Sequence, residues 1–265
     1  MGMTETLFDR LQSLESTISL TLNYRMNKTI TDLANSLTYN GELLVANESV
    51  GTSTLNIPKE KALFESCKNQ QWIVKALDTK LKSAVKIIDT GAVWNRNDEV
   101  EWSVNNKSEI NKNSVHNIHE AAIIANLANA LMEGGVLPQN MGVIATFNNQ
   151  VKQLSSLLNP NIDVSTVDQF QGRDKNIIFY SCTKSVHRSE ESGDRKFDIM
   201  EDHRRLNVAI TRAKNKLILV GDLKTVQMYK PFSKLLKCVE NSQIMKLQDD
   251  IDGFSWSFVL NNVRK

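Results

Sequence analysis

Residues 204–222 read RRLNVAITRAKNKLILVGD: a charged, amphipathic stretch running straight into an unbroken apolar one. Few folds accept such a passage. A helix over 205–213 with its stripe at Leu206, Ala209, Ile210 and Ala213 must lie on a core, and 217–220, apolar at every position, reads as a strand buried on both faces. Residues 165–184 (STVDQFQGRDKNIIFYSCTK) repeat the arrangement, with a polar turn leading into the apolar run 177–182. Both passages present charge at the edge of a buried sheet.

The rest of the chain extends the alternation. Residues 18–22 alternate like a half-buried strand. Asn27 is placed to cap a helix whose apolar positions Ile30, Leu33, Ala34 and Leu37 follow the i, i+3, i+4, i+7 pattern, and Tyr39-Asn40-Gly41 ends it as a turn. Residues 42–82 carry no clear period. A strand is predicted within 84–90. Asn117 and Glu120 form an N-x-x-E capping box for a helix on Ile124, Leu127, Ala128 and Leu131, stopped by Gly134-Gly135. Met141–Ala145 reads as a buried strand and 147–158 as the helix after it. A strand over 163–167 precedes the second apolar run. After 217–220 the pair Gly221-Asp222 makes a turn, and 232–239 is amphipathic. Strand and helix in alternation imply α/β architecture: a parallel sheet flanked by helices.

Residues 91–117 break the pattern, with seven asparagines and scattered charge, and read as a polar loop insertion. Residues 186–202 form a second charged, unpatterned loop. Weak helical character at 7–14 suggests that 1–15 link to a preceding domain. Residues 16–239 then make one domain and 240–265 a tail.

Composition excludes several classes. The hydrophobic share of 41% supports a core, and a formal charge of +2 confines any nucleic-acid surface to a local patch. Cys67, Cys182 and Cys238 have no metal or disulfide spacing, which favours a reducing compartment. No apolar run approaches the ~20 residues of a membrane helix. The first ten residues, MGMTETLFDR, lack the apolar region of a signal peptide. None of the eleven glycines precedes lysine, so the sequence holds no G-x-x-x-x-G-K-[ST] phosphate loop. Asp98–Glu101 mimics an acidic metal box, but no apolar strand precedes it. His116, His119, His187 and His203 have no cysteine or carboxylate cluster around them, and no metal site is expected.

Arginine carries the remaining chemistry. On one helix Arg205 and Arg212, seven residues apart, nearly superimpose in projection, ~90° from the apolar stripe. A planar, always-charged guanidinium there suits phosphate oxygens, and it suits a solvated helix edge equally well. Arg25 lies between the 18–22 strand and the helix capped by Asn27. In open α/β sheets ligands gather at the carboxyl ends of strands, and helix N-termini attract anions; a loop arginine bound to local carbonyls fits the same spacing. Gly172 permits a tight path, with Gln171 and Asp174 as hydrogen-bonding groups on either side. Thr146 and Thr166 end strands, where hydroxyls hold either backbone phosphates or their own turns.

Together these segments resemble the late motifs of superfamily 1 helicases, in the branch that contains RNA-surveillance helicases and the helicase–nucleases of DNA replication. LNYRMN around Arg25 is similar to motif IV, TVDQFQGRD (166–174) to motif V and RLNVAITRA (205–213) to motif VI, in the family's order. QGRDK, RRLNVAITRAK and LILVG are most similar to the replication helicase–nucleases, which trim Okazaki-fragment flaps and resect DNA ends. The match covers residues 7–234, apart from 91–117.

The resemblance implies a RecA-like second helicase domain. It implies that Arg25 and Arg212 reach, as catalytic residues, across a cleft to ATP and Mg2+ held mainly by a first RecA-like domain outside these 265 residues. Gln171, Gly172, Asp174 and Arg205 would line the nucleotide, and Thr146, Phe147 and Thr166 would touch single-stranded DNA or RNA. The family has proline where Thr146 stands; Phe147 keeps the aromatic place. The cysteines do not match those of the family's iron–sulfur cluster, so no cluster is expected in this chain. Neither half of a Walker site is present, so the chain alone should be inactive. The resemblance implies the nucleus as location, with the mitochondrion as a second one.

Overall fold

The computed structural model describes residue 11 and residues 17–92, 116–185 and 198–263. Apart from residue 11, which is helical, the expected helix at 7–14, the acidic stretch at 98–101 and most of both polar loops lie outside the described residues. In chain order the principal elements are β1 (Leu22–Asn23), α1 (Lys28–Ala34), β2 (Leu44–Val45), α2 (Glu60–Ser66), α3 (Gln71–Ala76), β3 (Val85–Asp89), α4 (Ile118–Glu133), β4 (Met141–Ala145), α5 (Asn148–Leu157), β5 (Asp163–Thr166), β6 (Lys175–Ser181), α6 (His203–Ile210), β7 (Ala213–Gly221), α7 (Lys230–Cys238), β8 (Ile244–Lys246) and α8 (Trp256–Val263).

Six strands form one sheet in the order β5-β4-β6-β7-β3-β8, with every neighbouring pair parallel. Their side chains alternate between two cores. Phe179 of β6 and Ile218 and Val220 of β7 join one core with Leu63, Trp72, Leu127, Leu131, Leu154 and Val259 from α2, α3, α4, α5 and α8. Ile178 and Tyr180, and Leu217 and Leu219, join the other with Ile30, Leu206, Ile210, Phe232 and Leu235 from α1, α6 and α7. Burial on both faces is why these strands are apolar at successive positions. The fold is an α/β, RecA-like parallel sheet flanked by helices.

Both predicted N-cap side chains are in place. The Asn27 side chain accepts from Ile30 N–H, and Asn117 from Glu120 N–H. Asn40 and Gly41 turn the chain through the left-handed region, at φ 51° and 86°, where glycine costs least. The helix begun at α1 continues as a π-helical turn over Asn35–Tyr39.

Four expectations change. The helix over 205–213 stops at Ile210. Thr211 closes it, with its hydroxyl on the carbonyls of Asn207 and Val208, and Arg212 stands outside the helix. The last expected strand, 217–220, begins four residues earlier, because the Lys216 ammonium is satisfied inside the protein by the carbonyls of Asp78 (2.6 Å) and Ser83 (2.7 Å). Residues 18–22 are not half-buried: only Leu22–Asn23 pair, with β2, and the side chains before them face solvent. Finally, residues 240–263 pack onto the sheet rather than forming a separate tail, since β8 adds to it beside β3 and Asn126 of α4 donates to the carbonyl of Val259 in α8.

A two-part candidate site on opposite edges of the sheet

The first part sits at the amino edge of β6 and β7. The Asn23 side chain accepts from the backbone N–H groups of Arg25 (2.9 Å) and Met26 (3.0 Å), a local turn that fixes the arginine backbone. Asn27 then staples the start of α1 to the start of β7: its N–H donates to the Lys214 carbonyl, and its side-chain amide to the carbonyls of Asn215 and Ser53 (all 3.0 Å). Arg25 Nη1 donates to the Thr211 carbonyl at 3.2 Å. Two segments almost two hundred residues apart in sequence thus place Arg25 and Arg212 on one wall.

Arg212 is half-buried. Its guanidinium donates to the carbonyl of Val208 (3.0 Å), to Thr211 Oγ1 (3.2 Å) and, at the limit of a hydrogen bond, to the carbonyl of Arg173 (3.5 Å). Burial lowers its pKa first and the like charge of Arg25 adds to that, while Asp174 opposes both. Among the described residues neither Arg25 nor Arg212 is in an ion pair; Asp174 is paired with Lys214 at 2.6 Å instead. Two like charges thus crowd one wall, and their hydrogen-bond partners are neutral carbonyl and hydroxyl oxygens.

Gln171 and Gly172 lie exposed on the turn that leads to Asp174. Gly172 has φ 83°, so glycine is required there by the backbone. The turn is anchored by Phe170, wholly buried against Gly142, and is closed by bonds from Phe170 N–H to the Thr166 carbonyl and from Arg173 N–H to the Phe170 carbonyl.

The second part lies at the opposite, carboxyl edge. Thr146 and Thr166 follow or end the paired strands β4 and β5. They line a hollow with Asp168, Tyr180, Met200, Arg205 and Phe232. Thr146 is buried, with its hydroxyl 3.0 Å from Tyr180 Oη. Phe147, half-buried, precedes α5 and lies under Lys184, whose ammonium is 5.6 Å from the ring centre. Lys184 in turn pairs with Asp198.

The structure therefore brings Arg25, Arg212 and Asp174 together, and Thr146, Phe147 and Thr166 together. Arg205 falls with the second group. It holds Asp168 through two 3.0 Å bonds, which raise its pKa, and it stands at the other end of α6 from Arg212. The expected superposition of the two arginines fails because Arg212 is not on the helix. Arg25 also lies at the amino edge of the main sheet, away from the carboxyl-edge crevice that strand–helix order suggested.

Asn23 and Lys184 escaped the sequence reading, since neither belongs to a periodic pattern. Glu120 was read only as half of a cap. The reciprocal bond does not form: Asn117 N–H donates to Gln150 Oε1 instead. The Glu120 carboxyl turns inward and accepts from Ser181 Oγ (2.6 Å), Thr183 N–H (2.8 Å) and Asn117 Nδ2 (3.1 Å). These bonds hold Thr183 at φ 71°, and Thr183 immediately precedes Lys184. Burial pushes the Glu120 pKa up to about 8 from 4.5. The folded protein therefore carries a proton there that the unfolded chain has lost. That contribution to stability is full below pH 4.5 and disappears as pH rises through about 8, with a slope of at most ~1.4 kcal/mol per pH unit. Glu120→Gln flattens this part of the stability profile. Urea unfolding between pH 5 and 8 measures the slope, and an identical slope in the variant contradicts the assignment.

Comparison with known proteins shows the family. A family model described as an AAA domain matches residues 3–224. The chain is 33% identical over 256 residues to the DNA replication ATP-dependent helicase/nuclease DNA2 of Bos taurus, covering 92% of this chain and 22% of that protein. For the Mus musculus protein of that name the identity is 32% over 276 residues, with 100% and 24% covered. For the Saccharomyces cerevisiae one it is 32% over 235 residues, with 85% and 14% covered. The chain thus spans less than a quarter of the length of these relatives. The superfamily 1 likeness drawn from the three motifs stands, and the chain belongs to the AAA domain family.

Proposed function

We propose that this chain is the second motor domain of an ATP-dependent DNA helicase acting in DNA replication, with flap trimming and end resection as its wider setting and the nucleus as its location. The observation that carries the reading is the pair of guanidinium groups, free of ion pairs among the described residues, on one wall. Arg25 and Arg212 fit a triphosphate presented from outside the chain, because their present partners are neutral carbonyl and hydroxyl oxygens. ATP with Mg2+ supplies the driving reaction when held by the phosphate loop of a first RecA-like domain. Arg212, with Arg25 beside it, stabilises charge spreading over the transferred phosphoryl group. Asp174 orients Lys214 next to them, and Gln171 and Gly172 shape the turn that faces the cleft.

Strand contact falls to the opposite edge. Thr166 and the start of α5 offer hydroxyl and N–H groups to backbone phosphates, and Phe147 offers a ring face to a base. The turn from Thr166 to Asp174 joins the two edges in nine residues, so movement at the nucleotide wall is transmitted to the strand. Strand separation by the helicase that carries this segment behind a phosphate-loop domain tests the reading. Unwinding of DNA duplexes, dependent on ATP, is the expected result. Unwinding confined to RNA assigns the motor to RNA, and no unwinding of either overturns the proposal.

A further inference from the structure

The motor reading accounts for Arg25 but not for the residues just before it. Ile18 and Leu20 are 90% and 89% exposed, and Leu22 and its partner Leu44 are 52% and 56% exposed. These are apolar residues in strict alternation with Ser19 and Thr21, a pattern that makes one face of a strand hydrophobic. Nothing among the described residues covers that face. The parallel pair β1–β2 is only two residues long on each side, and a two-stranded ribbon is barely stable by itself.

The free edge has a definite direction. The carbonyls of Thr21 and Asn23 accept from Leu44 N–H (2.7 Å) and Ala46 N–H (2.9 Å), so those residues face β2. By the alternation of a strand, the N–H and C=O groups of Leu20 and Leu22 point the other way, into solvent. An apolar face beside an open hydrogen-bonding edge is the ordinary description of a strand awaiting its sheet.

We propose that residues 18–22 are an edge strand completed by the sheet of the phosphate-loop domain, which would fix the cleft by backbone hydrogen bonds. The inference rests on the motor reading above. Two observations select this occupant. The strand runs directly into Arg25, so whatever pairs with it lies against two cations that have no ion pair among the described residues and must present an anion there, as a nucleotide-bearing domain does. The relatives are also more than four times the length matched by this chain, since 22% and 24% of them are covered, which leaves ample polypeptide for that domain.

Single-amide hydrogen exchange on the 265-residue chain and on the helicase that carries it behind a phosphate-loop domain provides the test. Leu20 and Leu22 N–H exchange rapidly in the chain alone and slow by ~100-fold or more in the helicase. Leu20→Asp removes the slowing, yet leaves melting of the isolated chain unchanged, because the side chain is 89% exposed there. If those amides stay fast in a helicase whose ATP turnover collapses on Arg212→Ala, the strand proposal falls and the motor reading survives. If turnover is indifferent to Arg212 while the amides slow, the motor reading falls and strand pairing survives. Slowing in the isolated chain, accompanied by a dimer on sedimentation, assigns the edge to a second copy and overturns the proposal.

Discussion

Arg212→Ala lowers ATP turnover by the assembled helicase by ~10³–10⁵-fold, while nucleotide affinity stays within ~10-fold. The asymmetry follows from position. Arg212 is built on a turn at the amino edge of β7, outside any phosphate loop, so it adds little to ground-state binding of a nucleotide gripped elsewhere. Its value lies in the charge that appears during transfer, which a half-buried guanidinium meets at lower effective dielectric than water would allow. The Arg25 charge beside it makes the wall costly to keep empty and more responsive to an anion. Arg212→Lys recovers only part of the rate, because a point charge replaces a planar fork. Steady-state turnover and nucleotide binding measured on the same samples check this. Turnover within ~10-fold of the parent would remove Arg212 from the reaction.

Phe170→Ala destabilises the isolated chain by ~3–5 kcal/mol. Phe170 is wholly buried although it lies in a turn, and a side chain at Gly142 would come within 2.7 Å of its ring. Arg173 stacks on the ring, 5.1 Å from its centre. The ring is therefore the peg that holds the Thr166–Asp174 passage on the sheet, and its loss opens a cavity that the six-stranded core does not collapse to fill. Chemical denaturation gives the difference directly. A loss below ~1 kcal/mol would mean that the turn is held by its backbone bonds alone. Under the proposed function, single-strand binding falls along with stability, because Thr166 stands at one end of the passage that this peg holds.

Legibility in the sequence followed how local the cause was. Asn27 and Asn117 cap helices through bonds reaching three residues, and Met141–Ala145 is apolar throughout, so both kinds of signal were visible. The start of β7 was hidden because Lys216 reads as a surface residue. Only the carbonyls of Asp78 and Ser83, more than a hundred residues upstream, make it a buried one, with burial pulling its pKa to about 7. β8 has three residues and one buried side chain, too short for any period. The alternation at 18–22 is real, but nothing among the described residues covers its apolar face, so exposure replaces the expected burial. In the site, motif order brought out Arg25, Arg212 and the threonines. The link between Arg205 and Asp168 spans 37 residues and left no trace in spacing.

Arg25 and Arg212 are expected to meet a triphosphate supplied by another domain. The structure of the helicase bound to ADP and beryllium fluoride, a stand-in for the γ-phosphate, measures it most directly. Both guanidinium groups should lie within hydrogen-bond reach, ~3 Å, of the phosphate or fluoride atoms. Arg212 left on the Val208 and Thr211 oxygens, with Arg25 still on the Thr211 carbonyl and the nucleotide out of reach of both, would contradict it.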